Sequence, residues 1–361
     1  MRKHYLLSLL LAILIAIAAI SCNKDDNSDY TEIPLSPVVL DLNAAPYPKL
    51  SDYNFFEGDL KNLQPVYGVL PYDLNSSLFT DYALKKRFVW MPQGVKASYV
   101  SDGDILNFPT GTVLIKNFYY ENVQPDNETV IIETRLMIKK AGGWIFANYV
   151  WNDEQTEAFL NTTEITKEIT IEGNRAVSNI NYKIPSTENC SACHLQNNIP
   201  LPIGPKPQNL NKIFDYNGTL TNQLVKWKEF EYLETNTPVD IVSTVNWKDE
   251  TQPLDIRARS YLDINCAHCH TQGGQCDYTP LDLAFNKTSH PENLGVCIEP
   301  SDFSGDITYL ISGGNYTNSL IYYRMESNIP SEMMPFIGRT VPDLDALILM
   351  RTWINSLETC P

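Results

Sequence analysis

A chain of 361 residues with 43% hydrophobic and 19% charged residues is built to fold, which excludes a disordered protein, and its length favours two domains over one. A formal net charge of −16 argues against a nucleic-acid partner and for cationic ones. Away from the N-terminus no stretch is long and apolar enough to span a membrane.

The N-terminus carries one apolar run, Leu6 to Ile20, behind Arg2 and Lys3, and it closes on Ala19-Ile20-Ser21-Cys22. The pattern resembles a bacterial lipoprotein signal, with residues 1–21 as the leader and Cys22 as the acylated first residue. An ordinary leader followed by an incidental cysteine is the alternative. Lipidation ties the chain to the cell envelope. The tetrad Asn23-Lys24-Asp25-Asp26 resembles a surface-export tag and points to the outer membrane. Removing Arg2 and Lys3 with the leader leaves a still more acidic chain. Residues 22–50 are polar and aperiodic, which predicts a tether.

Residues 51–185 are expected to form a β-rich domain with an irregular N-terminal wrap. Runs at Arg87–Met91, Lys96–Val100, Gly111–Tyr120, Thr129–Lys140, Trp144–Trp151, Ile165–Ile171 and Val177–Ile184 are rich in β-branched and aromatic residues. Alternation in Ile132–Ile138 calls for one buried face, and the set predicts an antiparallel β-sandwich or partial barrel. With no histidine or cysteine, this part is assigned a structural or partner-binding role.

Residues 186–252 and 253–361 each contain a C-x-x-C-H motif: Cys190-Ser191-Ala192-Cys193-His194 and Cys266-Ala267-His268-Cys269-His270. Two thiols one turn apart reach the two vinyl groups of a porphyrin, and the next imidazole falls on the iron. The chain is therefore expected to carry two covalently bound haem c groups. One four-thiolate zinc site, or plain disulfides, are the other readings of these cysteines, and the terminal histidines with an oxidising compartment speak against both. Three cysteines remain: Cys276–Cys297 is the simplest disulfide, with Cys360 free or replacing either partner. Helices are predicted at Leu220–Leu233, Leu254–Cys266, Leu320–Glu326 after a Ser319 cap, and Asp343–Leu357.

The helix running into Cys266 and the loop Glu332–Gly338, with its M-P-x-x-G pattern, resemble class I cytochrome c domains. That resemblance implies a mainly α-helical, cytochrome c-like dihaem region and His270/Met334 as the axial pair of the second haem, with Met333 and Met325 competing. The first haem has no such partner nearby. Its remote candidates are His290, His268, Met91, Met137 and Met325, or its sixth position is open. The motifs together with Leu50–Phe56, Pro71–Asn75, Asp81–Phe88, Pro202–Lys206 and Tyr323–Ser327 resemble a bacterial family of exported dihaem c-type cytochromes of unassigned pathway. The resemblance implies electron transfer with redox partner proteins, best served by cationic carriers. A peroxidase-like dihaem enzyme or a haem-based sensor is the alternative, with the first haem as the open site.

Overall fold

The computed structural model describes residues 34–172, 179–301, 303 and 305–361. The leader, Cys22 and the export tetrad lie outside the described residues. A two-residue ribbon, β1 (Phe56–Glu57) with β2 (Gln64–Pro65), precedes a six-stranded antiparallel meander. Its strands are β3 (Leu70–Tyr72), β4 (Leu84–Trp90), β5 (Val113–Val123), β6 (Glu128–Lys140), β7 (Gly143–Trp151) and β8 (Ala158–Asn161). A separate ribbon, β9 (Ile165–Thr170) with β10 (Asn179–Ile184), follows. Expected strands are found among the described residues, which exclude Val177 and Ser178 of the last one, except that Lys96–Val100 makes only isolated bridges, Ala97 to Leu233 and Ser98 to Asn107.

Period-two alternation sorts the large side chains onto two faces of the sheet. Phe88, Trp90, Ile115, Leu136, Tyr149 and Trp151 face one core, closed by Tyr53, Phe55, Phe56 and Val66 of the preceding wrap. Each such buried side chain contributes roughly 1.5–3 kcal/mol. Val38, Leu40 and Leu42 pack on the same core, so residues 36–50 of the expected tether belong to the folded body. On the other face, Val89, Leu114 and Met137 pack with Leu224, Trp227, Leu233 and Ile264 from the C-terminal half. The β9–β10 ribbon covers the far end of that face through Ile169, Ile180, Tyr182 and Ile184, around Phe118 and Tyr120. Ser36–Pro361 is one compact unit.

The antiparallel N-terminal sheet is compatible with expectation, but a mainly helical C-terminal region is not. Strand accounts for 27% of the structure and helix for 20%. Beyond Pro185 the α-helices are α1 (Thr187–His194), α2 (Pro207–Leu210), α3 (Gln223–Glu229), α4 (Leu254–Asn265), α5 (Pro291–Leu294), α6 (Leu320–Glu326) and α7 (Leu344–Ser356). Only α4 and α7 exceed eight residues. Hairpins β11–β12 (Leu195–Gln196, Ile199–Pro200) and β13–β14 (Ile213–Tyr216, Thr219–Asn222) and long loops fill the rest. The helix predicted from Leu220 begins only at Gln223. Asn217-Gly218, with φ of 55° and 88°, supplies the left-handed pair of a two-residue hairpin, and Leu220 joins the strand. Asn222 then caps α3 by accepting from Leu224 and Val225 N–H.

Candidate functional site

Ser186 starts α1, its hydroxyl accepting from the Asn189 N–H at 3.3 Å. Cys190 and Cys193 stand three apart, on one side of that helix, and His194 ends it. The chain reverses at once through β11–β12, where Asn197 and Asn198 adopt φ of 51° and 62°. This reversal returns Leu201 to His194. The Leu201 N–H donates to the His194 carbonyl at 2.7 Å, and His194 Nδ1 donates to the Leu201 carbonyl at 2.8 Å. A carbonyl only accepts, so the ring proton sits on Nδ1 and Nε2 keeps a free lone pair. Burial holds this imidazole neutral, its pKa pushed down to about 3.

His194 lines a cavity whose floor is the second face of the sheet. Register places Lys116, Arg135 and Asn148 in one row across β5, β6 and β7, and Leu114, Met137 and Phe146 in the next. The Phe146 ring lies 5.1 Å from the His194 ring. Arg135 donates twice to the fully buried Glu133, at 2.9 and 2.5 Å. Lys116 has no ion pair among the described residues; its ammonium stands 4.9 Å from the Phe118 ring centroid. Burial first, then Arg87, Lys85 and Arg135 nearby, pushes its pKa well below the usual lysine range. A cation held short of counter-charge at a cavity wall is a receptor for a carboxylate.

The second motif follows α4, and its turn is closed by Cys269 and His270 N–H bonds to the Cys266 carbonyl at 3.1 and 2.9 Å. Thr279 Oγ1 donates its one proton to the Cys276 carbonyl at 2.8 Å. Its oxygen must therefore accept from His270 Nδ1, 3.1 Å away, which again leaves Nε2 free. Burial pushes the His270 pKa down to about 4. His270 and Met334 line one cavity, walled by Leu283, Leu294 and Ile311 and carrying Arg324 and Arg339. Arg339 pins the Met334 loop to α6, donating to the Met334 carbonyl at 3.1 Å and to Ser327 at 2.8 Å. From the N-terminal half, Asp81 Oδ1 accepts from Thr340 and Val341 N–H at 2.6 and 3.0 Å.

Both cavities are lined in the same way. Each joins two thiols, an imidazole with a free Nε2, apolar walls and two cations. This donor set fits a haem c with its two carboxylates. The two sites also meet. Cys193 Sγ, Cys269 Sγ and a ring nitrogen of His268 lie within 4.8 Å of one another. Their contact splits the two thiols, Cys193 pushed well below its ordinary pKa and Cys269 above it. Phe79, Cys193, Asn265, His268 and Pro335 line both cavities. His268 Nδ1 is buried without a hydrogen-bond partner.

Of the competing methionines, Met325 also lines the second cavity, from α6, whereas Met333 does not. Among the first site's remote candidates only His268 and Met137 line its cavity. Met91 is buried in the core beneath, and His290 is exposed, 3.5 Å from Glu292. The disulfide joins Cys297 to Cys360, across 63 residues, and Cys276 is a free, buried thiol; the expected Cys276–Cys297 pair does not form. Nor do the four motif thiols gather into one metal site, since Cys190 and Cys266 stay outside the Cys193–His268–Cys269 group.

No family model matches this sequence, and no curated protein or solved structure matches it either.

The sequence reading missed the groups that orient the histidines, Leu201 and Thr279, and the cations Lys116, Arg135, Arg324 and Arg339. One signal was in view. Lys116 and Arg135 interrupt the apolar positions of two long strands on the face that Leu114 and Met137 bury.

Proposed function

We propose that this chain is an exported dihaem c-type cytochrome that carries electrons. Cys190, Cys193 and His194 hold one haem, and Cys266, Cys269 and His270 hold the other. The observation that carries the reading is the duplicated tautomer lock: each motif histidine gives its Nδ1 proton to a fixed acceptor and keeps Nε2 free beside a cavity. A bound haem supplies a one-electron couple at its iron. The chain does the rest. Met334 offers a thioether, which favours the ferrous state and suits a carrier. Lys116 on one side, and Arg324 and Arg339 on the other, would neutralise propionates. Cys22 anchors the protein to the envelope through lipid, and the acidic surface steers cationic redox proteins towards it. The resemblance to exported dihaem cytochromes supports this reading through the motif residues.

The Cys193–His268–Cys269 group suggests a second reading, a single metal ion. Structural zinc takes four ligands, and no fourth Cys, His, Asp or Glu joins this group among the described residues. Expression of the mature chain with cytochrome c maturation machinery decides between them. Two covalent haems per chain by pyridine haemochrome and intact mass are expected, with one lost in C190A/C193A and the other in C266A/C269A. Bound zinc without covalent haem overturns the proposal. With haem loaded, the relay reading expects neither ferrous centre to take carbon monoxide; a response from one centre moves the function to a peroxidase-like enzyme or sensor.

A further inference from the structure

The second thiols of the two motifs, 76 positions apart in sequence, stand side by side. We propose that the two haem groups form one edge-coupled pair, joined at the Cys193 and Cys269 thioethers. This rests on the dihaem reading and deepens it. A thioether places a porphyrin ring carbon two bonds beyond each sulfur, through the former vinyl carbon, and the two sulfurs lie within 4.8 Å of each other. The rims they carry are therefore brought to within a few bond lengths.

Three further observations agree. The two cavities share walls, at Phe79, Cys193, Asn265, His268 and Pro335, so a single layer of side chains lies between them. Cys269 Sγ also approaches the Ala192 carbonyl at 3.8 Å, which fixes the second motif against the turn of the first. Asn197 N–H donates to the Gly273 carbonyl at 2.8 Å, and Gln196 Nε2 to the Gln272 carbonyl at 3.2 Å, so the loops after the two motifs are tied as well. The junction is thus flanked by two ties between the loops that follow the motifs.

Two consequences follow. With both groups bound, Cys193 and Cys269 would hold them close enough for an electron to pass between them within the chain, without a mobile carrier. The first electron also makes the second harder to add, because unit charges so close interact strongly in a poorly screened interior. The pair then titrates in two steps that belong to the pair and to neither haem alone.

The test uses the mature protein with its two covalent haems first counted by pyridine haemochrome. Electron paramagnetic resonance spectra are recorded fully ferric and at each step of a reductive titration. Coupled irons give a ferric spectrum broadened by their mutual interaction, and at half reduction the surviving ferric signal sharpens. The pairing is overturned if the half-reduced spectrum is only a scaled part of the fully ferric one, with every line width unchanged. It is supported further if C190A/C193A protein gives the sharp spectrum at once. Fewer than two covalent haems overturns the dihaem reading itself, whereas two haems with independent signals overturns the pairing alone.

Discussion

At the scale of single residues, the site turns on where two protons sit. Thr279 can accept from His270 only because its own proton is committed to the Cys276 carbonyl. Thr279→Val removes that acceptor, costs about 1 kcal/mol of stability, and takes electron density from the imidazole. A potentiometric titration should show one haem raised in potential and the other unchanged; no change in either refutes the assigned tautomer. The two methionines at the second cavity separate in the same way. Met334→Ala should open that centre to carbon monoxide in the ferrous state, whereas Met325→Ala, in the core packing of α6, should leave it closed. The histidines also set an acid limit on the haem-free chain. Burial lowers them from 6.5 to about 3 and about 4, so below pH 6.5 the unfolded chain takes up protons that the folded one refuses. Stability present above that value is lost as the pH falls towards 3 to 4, by about 1.4 kcal/mol per unit for each imidazole. Urea unfolding at about pH 7 and about pH 5 measures the slope, which His194→Phe should reduce.

At the scale of elements, the sheet does what the sequence reading assigned to no strand. It was given a structural or docking role for want of histidine and cysteine, yet its β5–β7 rows form the floor of the first cavity. The strands themselves were legible, since alternation is local. Which face would meet the C-terminal half was not, because that depends on register across six strands. The motif cysteines and the long helices α4 and α7 were legible for the same local reason. The excess of helix expected after Pro185 came from carrying a family's fold onto hairpins that Asn197-Asn198 and Asn217-Gly218 had already marked. The Cys297–Cys360 disulfide was one of the pairings left open, since three cysteines without a fold have no geometry. The ion pair beneath the floor gives this element a quantitative test. Glu133 is wholly buried and also accepts from Tyr182 at 2.6 Å. Arg135→Met leaves that carboxylate without its cation and should cost about 3 kcal/mol, the low end for a broken buried pair because Arg135 is partly exposed. Denaturant unfolding of the variant checks it, and a loss under about 1 kcal/mol would mean the pair is solvated.

At the scale of the whole molecule, the two halves are one folding unit because one core serves both. Trp227 is fully buried on α3, with Tyr72 at 5.7 Å and Phe108 at 6.4 Å between ring centroids, and Ile264 on α4 joins the same cluster. Asp81, before β4, grips the backbone after Met334, and Tyr82 donates to the Pro342 carbonyl at 3.1 Å. The N-terminal half thereby reaches both candidate sites, one through its sheet and the other through this clamp. Residues 186–361 expressed alone lack the floor of the first cavity and the partners of Trp227. With maturation machinery present, that fragment should fail to give the native spectrum of either haem. The full chain should unfold in a single thermal transition followed equally by far-ultraviolet circular dichroism and haem absorbance. Trp227→Ala, at a cost of about 3–5 kcal/mol for a large buried aromatic, should lower both signals together. Two separate transitions, or a fragment that folds and keeps its haems, would make the sheet an independent domain and remove it from the site.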